Sequence, residues 1–144
     1  MKHIPQISSG TKGPLGVFHL PRLWQKLTLG AKGVLAEGYD ECGQGYDQMV
    51  LDGIGIDRDA IMAFVKDSNP TYPQLEAWIL QQKGGAIDTT AIESLNAAIA
   101  GYNHSDDVRK TILADSGIED DGTILDAINL NNLDDWYEFH KSLG

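Results

Sequence analysis

The sequence predicts an all-α protein, a compact bundle of about seven or eight short helices. Three observations favour this class. Apolar residues recur every three or four positions, no segment shows the sustained alternation of a strand, and glycines and capping residues divide the chain into short segments. The 144 residues suit one hydrophobic core, and 42% hydrophobic with 22% charged residues is typical of an ordinary globular protein.

The chain is expected to open with an irregular arm, because residues 1–14 are polar, contain glycine and serine, and end at a Gly-Pro pair. Residues 15–144 are expected to form a single helical domain. The first helix begins near Leu20, with Pro21 in its first turn. Its apolar positions recur at steps of three and four and therefore share one face: Leu20, Leu23, Trp24, Leu27, Ala31, Val34 and Leu35.

Glycines and capping residues set the limits of the next three helices. The segment from residue 36 to 46 is rich in Gly and Asp and predicts a loop, and Asp47 is expected to cap a short helix that runs to about Asp52. Asp57 is expected to cap a third helix, which ends before Pro70. A fourth helix, which stops at a Gly-Gly pair, carries Leu75, Trp78 and Ile79.

Capping motifs also predict the helices of the second half. Thr90 stands three residues before a glutamate, the spacing of a capping box, and Ser105 followed by two aspartates is typical of a helix start. A short helical turn is expected around residues 124–128. The last helix is expected to be capped by Asn131. This helix carries the apolar residues Leu133, Trp136, Tyr137 and Leu143. His140 falls on the same apolar side and is therefore expected to lie near the core.

A weak internal sequence similarity suggests two similarly built halves. The segment MVLDGIGIDRD at residues 49–59 resembles TILADSGIEDD at residues 111–121, and each is followed by a Leu-x-x-Trp pattern. The alternative is that a helix, a Gly-Ile-acid turn and a second helix are a common way to connect helices.

Composition argues against several function classes. The formal net charge of −10 and the pI near 4.6 disfavour nucleic-acid binding, because phosphates repel an acidic surface. No apolar stretch approaches the roughly 20 residues of a membrane-spanning helix, so no membrane association is expected. Cys42 is the only cysteine, which excludes an intrachain disulfide and fits a cytoplasmic location. The four histidines lack metal-ligand spacing, and we expect no metal and no cofactor.

Charge is strongly segregated along the chain. Residues 1–36 contain five Lys/Arg and no acid, whereas residues 37–144 contain six Lys/Arg and all 21 acids, so the two parts carry +5 and −15. On the first helix, Arg22 and Lys26 lie opposite the apolar face. Gly30 and Gly33 continue this strip, which suggests either a close approach by another group or an early helix end.

Two interpretations of the basic strip stay open. In one, Asp and Glu of the same molecule pair with Arg22 and Lys26. In the other, these two cations bind a small anion, since the Arg fork suits carboxylate or phosphate, and the facing loop adds Tyr39, Tyr46 and Asp47 as polar contacts.

Other candidates for chemistry are weaker. Cys42 lies beside Asp40 and Glu41, which raise a thiol pKa and oppose nucleophilic use. The acidic run from residue 115 to 122 lacks the glycine and the final glutamate that a calcium loop needs at fixed positions. Asp134 and Asp135 are adjacent and project about 100° apart on a helix, so they do not form a catalytic dyad by themselves.

Several short motifs, taken in order, resemble a bacterial family of uncharacterised helical proteins. The motifs are Leu-Pro-Arg-x-x-x-Lys at residues 20–26, Gly-Ile-Asp at residues 55–57 and Leu-Asp-Asp-aromatic at residues 133–136. The resemblance covers Leu15 to the C-terminus, although the loop before Asp47 differs from the usual family pattern. It draws attention to Arg22, Lys26 and Asp47 as polar motif positions, and it implies no particular activity.

The sequence thus favours a non-catalytic helical module that interacts with a protein partner or with a second copy, because it holds no recognisable catalytic constellation. Such a module is expected to expose an apolar patch. The alternative is a protein or enzyme that binds a small anion at Arg22 and Lys26. We make no assignment of enzymatic activity.

Overall fold

The computed structural model describes all 144 residues and confirms the all-α class, with seven helices and no sheet. None of the helices has the length and apolarity required to cross a membrane. The helices are α1 (Leu20–Ala31), α2 (Tyr46–Ile54), α3 (Arg58–Ser68), α4 (Tyr72–Gln82), α5 (Thr89–Gly101), α6 (Asp106–Ser116) and α7 (Ala127–Ser142).

Two apolar clusters hold the fold together. The main core contains 18 buried residues, mostly from α1 to α5, and it includes Ala127 at the start of α7. A second cluster joins α6 to α7 through Ile112, Leu113 and Leu130. Helices α6 and α7 therefore form a hairpin with its own small core, attached to the five-helix core through the start of α7.

Some predicted helix starts are confirmed and others are wrong. The Asp57 and Ser105 side chains accept the expected backbone hydrogen bonds at the N-termini of α3 and α6. The cap of α5 is Asp88 rather than Thr90, because its carboxylate accepts from two backbone N–H groups. In the same way Asp126, not Asn131, caps α7, so the expected short turn near residue 124 and the last helix are replaced by one longer helix.

The internal sequence similarity reflects the same type of helix ending in both segments and not two equivalent halves. Gly55 and Gly117 each end a helix in the left-handed conformation, and the next residue, Ile56 or Ile118, bonds back to the helix five residues earlier. Helix α3 starts directly after the first of these turns. No helix follows the second turn until α7, so the common-connection alternative describes the structure.

The N-terminal segment contains no helix and packs against the helices. His3 pairs with Leu35 in an isolated bridge, and the Gln25 side-chain oxygen accepts from the backbone N–H groups of Gln6 and Ile7. Gly30 is explained by a close approach, because a Cβ there would collide with the Glu41 side chain.

Candidate functional site

All five residues predicted as ligand contacts line one cavity of about 300 Å³ between α1, the loop before α2, and α7. Arg22 and Lys26 come from α1, and Tyr39, Tyr46 and Asp47 come from the loop and the start of α2. The structure adds further polar and aromatic lining residues, the most prominent of which are His19, Tyr102, His104, Asn131 and Asp134.

Arg22 is buried and bound to a carboxylate of the last helix. Its two terminal nitrogens donate to the two oxygens of Asp135 at 2.6 and 3.0 Å, and one of them also donates to the Ile7 carbonyl at 2.9 Å. The Tyr39 hydroxyl donates to Asp135 as well, at 3.1 Å. Burial raises the pKa of Asp135, and the hydrogen bond and charge of Arg22 oppose that rise.

Lys26 is bound to Asp47, which accepts three kinds of donor. The Lys26 ammonium lies 2.5 Å from one carboxylate oxygen, which also accepts from the Gly43 N–H at 2.7 Å, and the other oxygen accepts from the His19 ring at 2.6 Å. Burial by itself would raise the pKa of Asp47, but the bond from His19 and the charge of Lys26 lower it to about 2.

The local backbone explains why His19 and Asp47 do not act as helix caps. His19 precedes α1 in the left-handed conformation, with a φ of 71°, and its ring makes no cap bond. Asp47 was expected to cap α2, but Gly45 occupies that position, and Asp47 lies in the first turn with its carboxylate in the buried network. Both side chains therefore belong to the buried network and not to a helix cap.

Ser9, His19 and Asp47 are connected in the order of a hydrolase triad, yet the geometry excludes that use. Burial lowers the pKa of His19, so the ring is neutral; we assign its Nε2–H to Asp47, which leaves Nδ1 to accept from the Ser9 hydroxyl at 2.9 Å. Ser9 has no exposed surface and does not line the cavity, so its oxygen cannot meet a substrate.

The sequence did not identify Asp135, His19 or Ser9 as members of this network. Asp135 lies 113 residues from Arg22, and Ser9 lies in a segment without regular structure. One sequence feature could have indicated such partners. Residues 1–36 are basic and contain no acid, so any of their cations that is buried needs a carboxylate from elsewhere in the chain. In the structure, Arg22 and Lys26 are paired within the molecule, as in the first of the two alternatives.

Two other predicted properties concern nucleophiles and metals. Cys42 is buried, which raises its pKa, and Asp47 adds to this effect, so the thiol is poorly placed to act as a nucleophile. No group of three or more His, Cys, Asp or Glu side chains is arranged to hold a metal ion.

A second candidate surface is the side of α7 that was expected to face the core. Trp136, Phe139 and Leu143 follow each other at helical steps of three and four, and 56%, 48% and 71% of their surfaces are exposed. We call these three residues the α7 apolar face. His140, predicted to lie near the core, is also exposed, because the small α6–α7 cluster involves Leu130 and Leu133 in the first half of the helix and does not extend to His140.

A cleft of about 560 Å³ adjoins the α7 apolar face. It lies between the C-terminal end of α6 and the middle of α7, with Trp136 on one side and Asp115 on the other. Its remaining walls are Ser116, Gly117, Leu133, Tyr137 and His140.

The buried network is expected to make the fold sensitive to acid. The pKa of Asp47 falls from 3.8 to about 2 on folding, so roughly 2 kcal/mol of stability is present above pH 4 and is lost as the pH falls toward 2. The pKa of His19 is also lowered, from 6.5, so its contribution is complete above that value and is lost as the unfolded chain takes up a proton below it.

Urea unfolding across this pH range measures both effects. The His19→Gln variant keeps an N–H donor for Asp47 but no longer titrates. We expect it to lack the part of the loss that begins near pH 6.5 and to keep the part below about pH 4. Parallel stability curves for the variant and the unaltered protein between pH 7 and pH 4 would contradict the assignment of a buried neutral His19.

No family model matches the chain, and no curated protein matches it either. The resemblance to the bacterial helical family stays a prediction.

Proposed function

We propose that the protein is a non-catalytic interaction module, which binds a basic amphipathic helix of a partner protein on the α7 apolar face. The single observation that carries this proposal is the exposure of Trp136, Phe139 and Leu143 in one continuous row. Large apolar side chains grouped in this way are typical of interaction surfaces and are costly to leave in water.

The exposed apolar residues are concentrated in one part of the molecule. Apart from Met1, every exposed large hydrophobic side chain lies between Tyr102 and Leu143, in the α6–α7 hairpin and its flanking loops. The five-helix core, by contrast, covers its large apolar residues. This distribution supports a docking role for the hairpin and not a general exposure of apolar residues.

The shape of the surface favours a helical partner. A row of apolar side chains beside a cleft is the arrangement that receives an amphipathic helix, whose own residues at positions i, i+3 and i+7 supply the anchors. The cleft between α6 and α7 is large enough to take an apolar side chain from such a helix, with Trp136 as an aromatic wall.

The charge of the hairpin favours a basic partner. Residues 102–144 contain ten acids and three Lys/Arg, a formal net charge of −7, and the exposed loop beside the cleft contains Glu119 and Asp121. Lysines and arginines on the polar face of a bound helix would meet this field. A second copy of this acidic chain is repelled by the same field, which favours a different protein as the occupant.

Calorimetry with a synthetic amphipathic helix of leucine and lysine tests this proposal. We expect the unaltered protein to bind this peptide. The Trp136→Ser, Phe139→Ser double variant should bind it at least about 30-fold more weakly, because both anchors are lost. The Val108→Ser variant is the matched control, since Val108 is exposed on α6 but does not line the cleft.

Three results would contradict the proposal. One is equal affinity in the double variant, which would make binding purely electrostatic. Another is equal affinity for a peptide of the same composition whose leucines do not share a face. The third is self-association in sedimentation that the double variant abolishes, which would assign the surface to a second copy.

A further inference from the structure

The cavity beside the ion-pair network has an aromatic wall. The rings of His19, Tyr46, Tyr102 and His104 follow one another with centroid separations of 5.3, 5.5 and 6.1 Å, and all four line the cavity. Ring faces attract cations that lie within about 6 Å of the centroid, and most strongly where water is partly excluded.

The cations of the cavity are already neutralised. Arg22 is held by both oxygens of Asp135, and Lys26 is held by Asp47. An anionic ligand would have to compete with these buried carboxylates for the same N–H groups. The structure therefore gives little support to an anion site at Arg22 and Lys26.

Two carboxylates at the cavity have no partner. Neither Asp134, which is partly buried, nor Asp40, which is exposed, takes part in a side-chain hydrogen bond or ion pair, although both line the cavity. Together with Asp47 and the Asp135 bound to Arg22, they set four carboxylates against two cations. The cavity is left with an excess of two negative charges.

Asp134 lies in a crowded negative environment. Burial raises its pKa, and the charges of Asp135, Glu138 and Asp115 raise it further. A bound positive charge would relieve this repulsion. The Asn131 side-chain oxygen accepts from the His104 ring nitrogen Nε2 at 2.8 Å, which leaves the Asn131 amide nitrogen available for a polar group of the same ligand.

We propose that this cavity binds a small organic ammonium ion, held between the aromatic wall and the carboxylates of Asp134 and Asp40. The aromatic rings contact the apolar substituents and the positive charge, and the carboxylates supply the counter-charge. Lys26 also lines the cavity and uses one of its three donors on Asp47, so its other N–H groups suit a hydroxyl or carbonyl oxygen elsewhere in the ligand. This site is separate from the α7 apolar face.

Thermal unfolding with matched small molecules tests the class of ligand. The probes are choline, 2-aminoethanol, 3,3-dimethylbutan-1-ol and sodium phosphate, at equal ionic strength. The neutral alcohol has the shape of choline without its charge. We expect at least one ammonium probe to raise the Tm, while the alcohol and phosphate leave it unchanged.

Variants locate the site. Asp134→Asn is expected to weaken ammonium binding about tenfold or more, because it removes a partly buried counter-charge. Asp67→Asn makes the same charge change on the exposed end of α3 and is expected to leave binding unchanged. If Asp134→Asn does not fold, the exposed Asp40→Asn variant carries the test, and a measurable loss of affinity is again expected.

The proposal is overturned if neither ammonium probe raises the Tm more than the neutral alcohol does. It is also overturned if phosphate stabilises the protein and Lys26→Met removes that effect, which would reinstate the anion site. Equal losses in the Asp134 and Asp67 variants would assign any binding to the general acidity of the surface.

Discussion

The Asp47→Ala substitution is expected to lower the free energy of unfolding by about 3 to 5 kcal/mol, because it leaves the buried Lys26 charge without a counter-charge. Asp47 is 3% exposed, and its carboxylate is the common acceptor for Lys26, the His19 ring and the Gly43 N–H. Each of these donors would lose its partner in a largely buried place, where an unpaired polar group is costly.

Urea denaturation at neutral pH measures this loss. The matched control is Asp52→Ala on the same helix, which removes an exposed carboxylate and should change stability by no more than about 0.5 kcal/mol. Adding Lys26→Met to Asp47→Ala removes the unpaired charge and should restore part of the stability. A loss of less than about 1 kcal/mol in Asp47→Ala would show that water reaches the network.

The second large effect is expected at the link between α1 and α7. Asp135→Ala should also cost about 3 to 5 kcal/mol, since it strips the buried Arg22 of a bidentate partner and the Tyr39 hydroxyl of its acceptor. The double variant Arg22→Met, Asp135→Leu replaces the pair by apolar groups of similar size. It is expected to be much closer in stability to the unaltered protein.

A double-mutant cycle over Arg22 and Asp135 tests whether the two side chains stabilise the fold through their contact with each other or independently. A coupling energy above about 1 kcal/mol between Arg22 and Asp135 supports a buried, desolvated pair. Additive losses would contradict it. Circular dichroism of each variant checks that the total helical content is unchanged, so that the cycle reports one folded state.

The class and the local limits of the helices could be predicted from the sequence because they depend on near neighbours. The spacing of Leu20, Leu23 and Leu27 determines the buried face of α1, and Asp57 and Ser105 cap helices through residues three positions away. The starts of α5 and α7 were wrong because Asp88 and Asp126 were competing caps within a few residues of those chosen.

The partners of the site could not be predicted, because they depend on tertiary packing. The pattern placed Arg22, Lys26, Tyr39, Tyr46 and Asp47 together, and they line one cavity. It did not show that Asp135 would reach Arg22 from the far end of the chain. The same limit applies to the α7 apolar face, because the periodicity that predicts an apolar face cannot tell whether another helix covers it.

The two proposed sites lie on opposite sides of helix α7. Asp134 and Asn131 line the ammonium cavity, and Trp136, Phe139 and Leu143 form the docking surface. The α6–α7 hairpin has only a small core of its own, so its position depends on the Arg22–Asp135 pair and on Ala127. The network at α1 therefore serves to fix the orientation of the surface that we propose to bind the partner.

The docking proposal is tested most directly by mapping the bound leucine-lysine peptide with backbone and indole NMR shifts of the labelled protein. We expect the largest changes at the Trp136 indole, at Leu143 and at Gly117 beside the cleft, with small changes in α3 and α4. Changes confined to the acidic first turn of α6 at Asp106 and Asp107, or no saturable change at Trp136, would contradict the assignment of the α7 apolar face as the interaction surface.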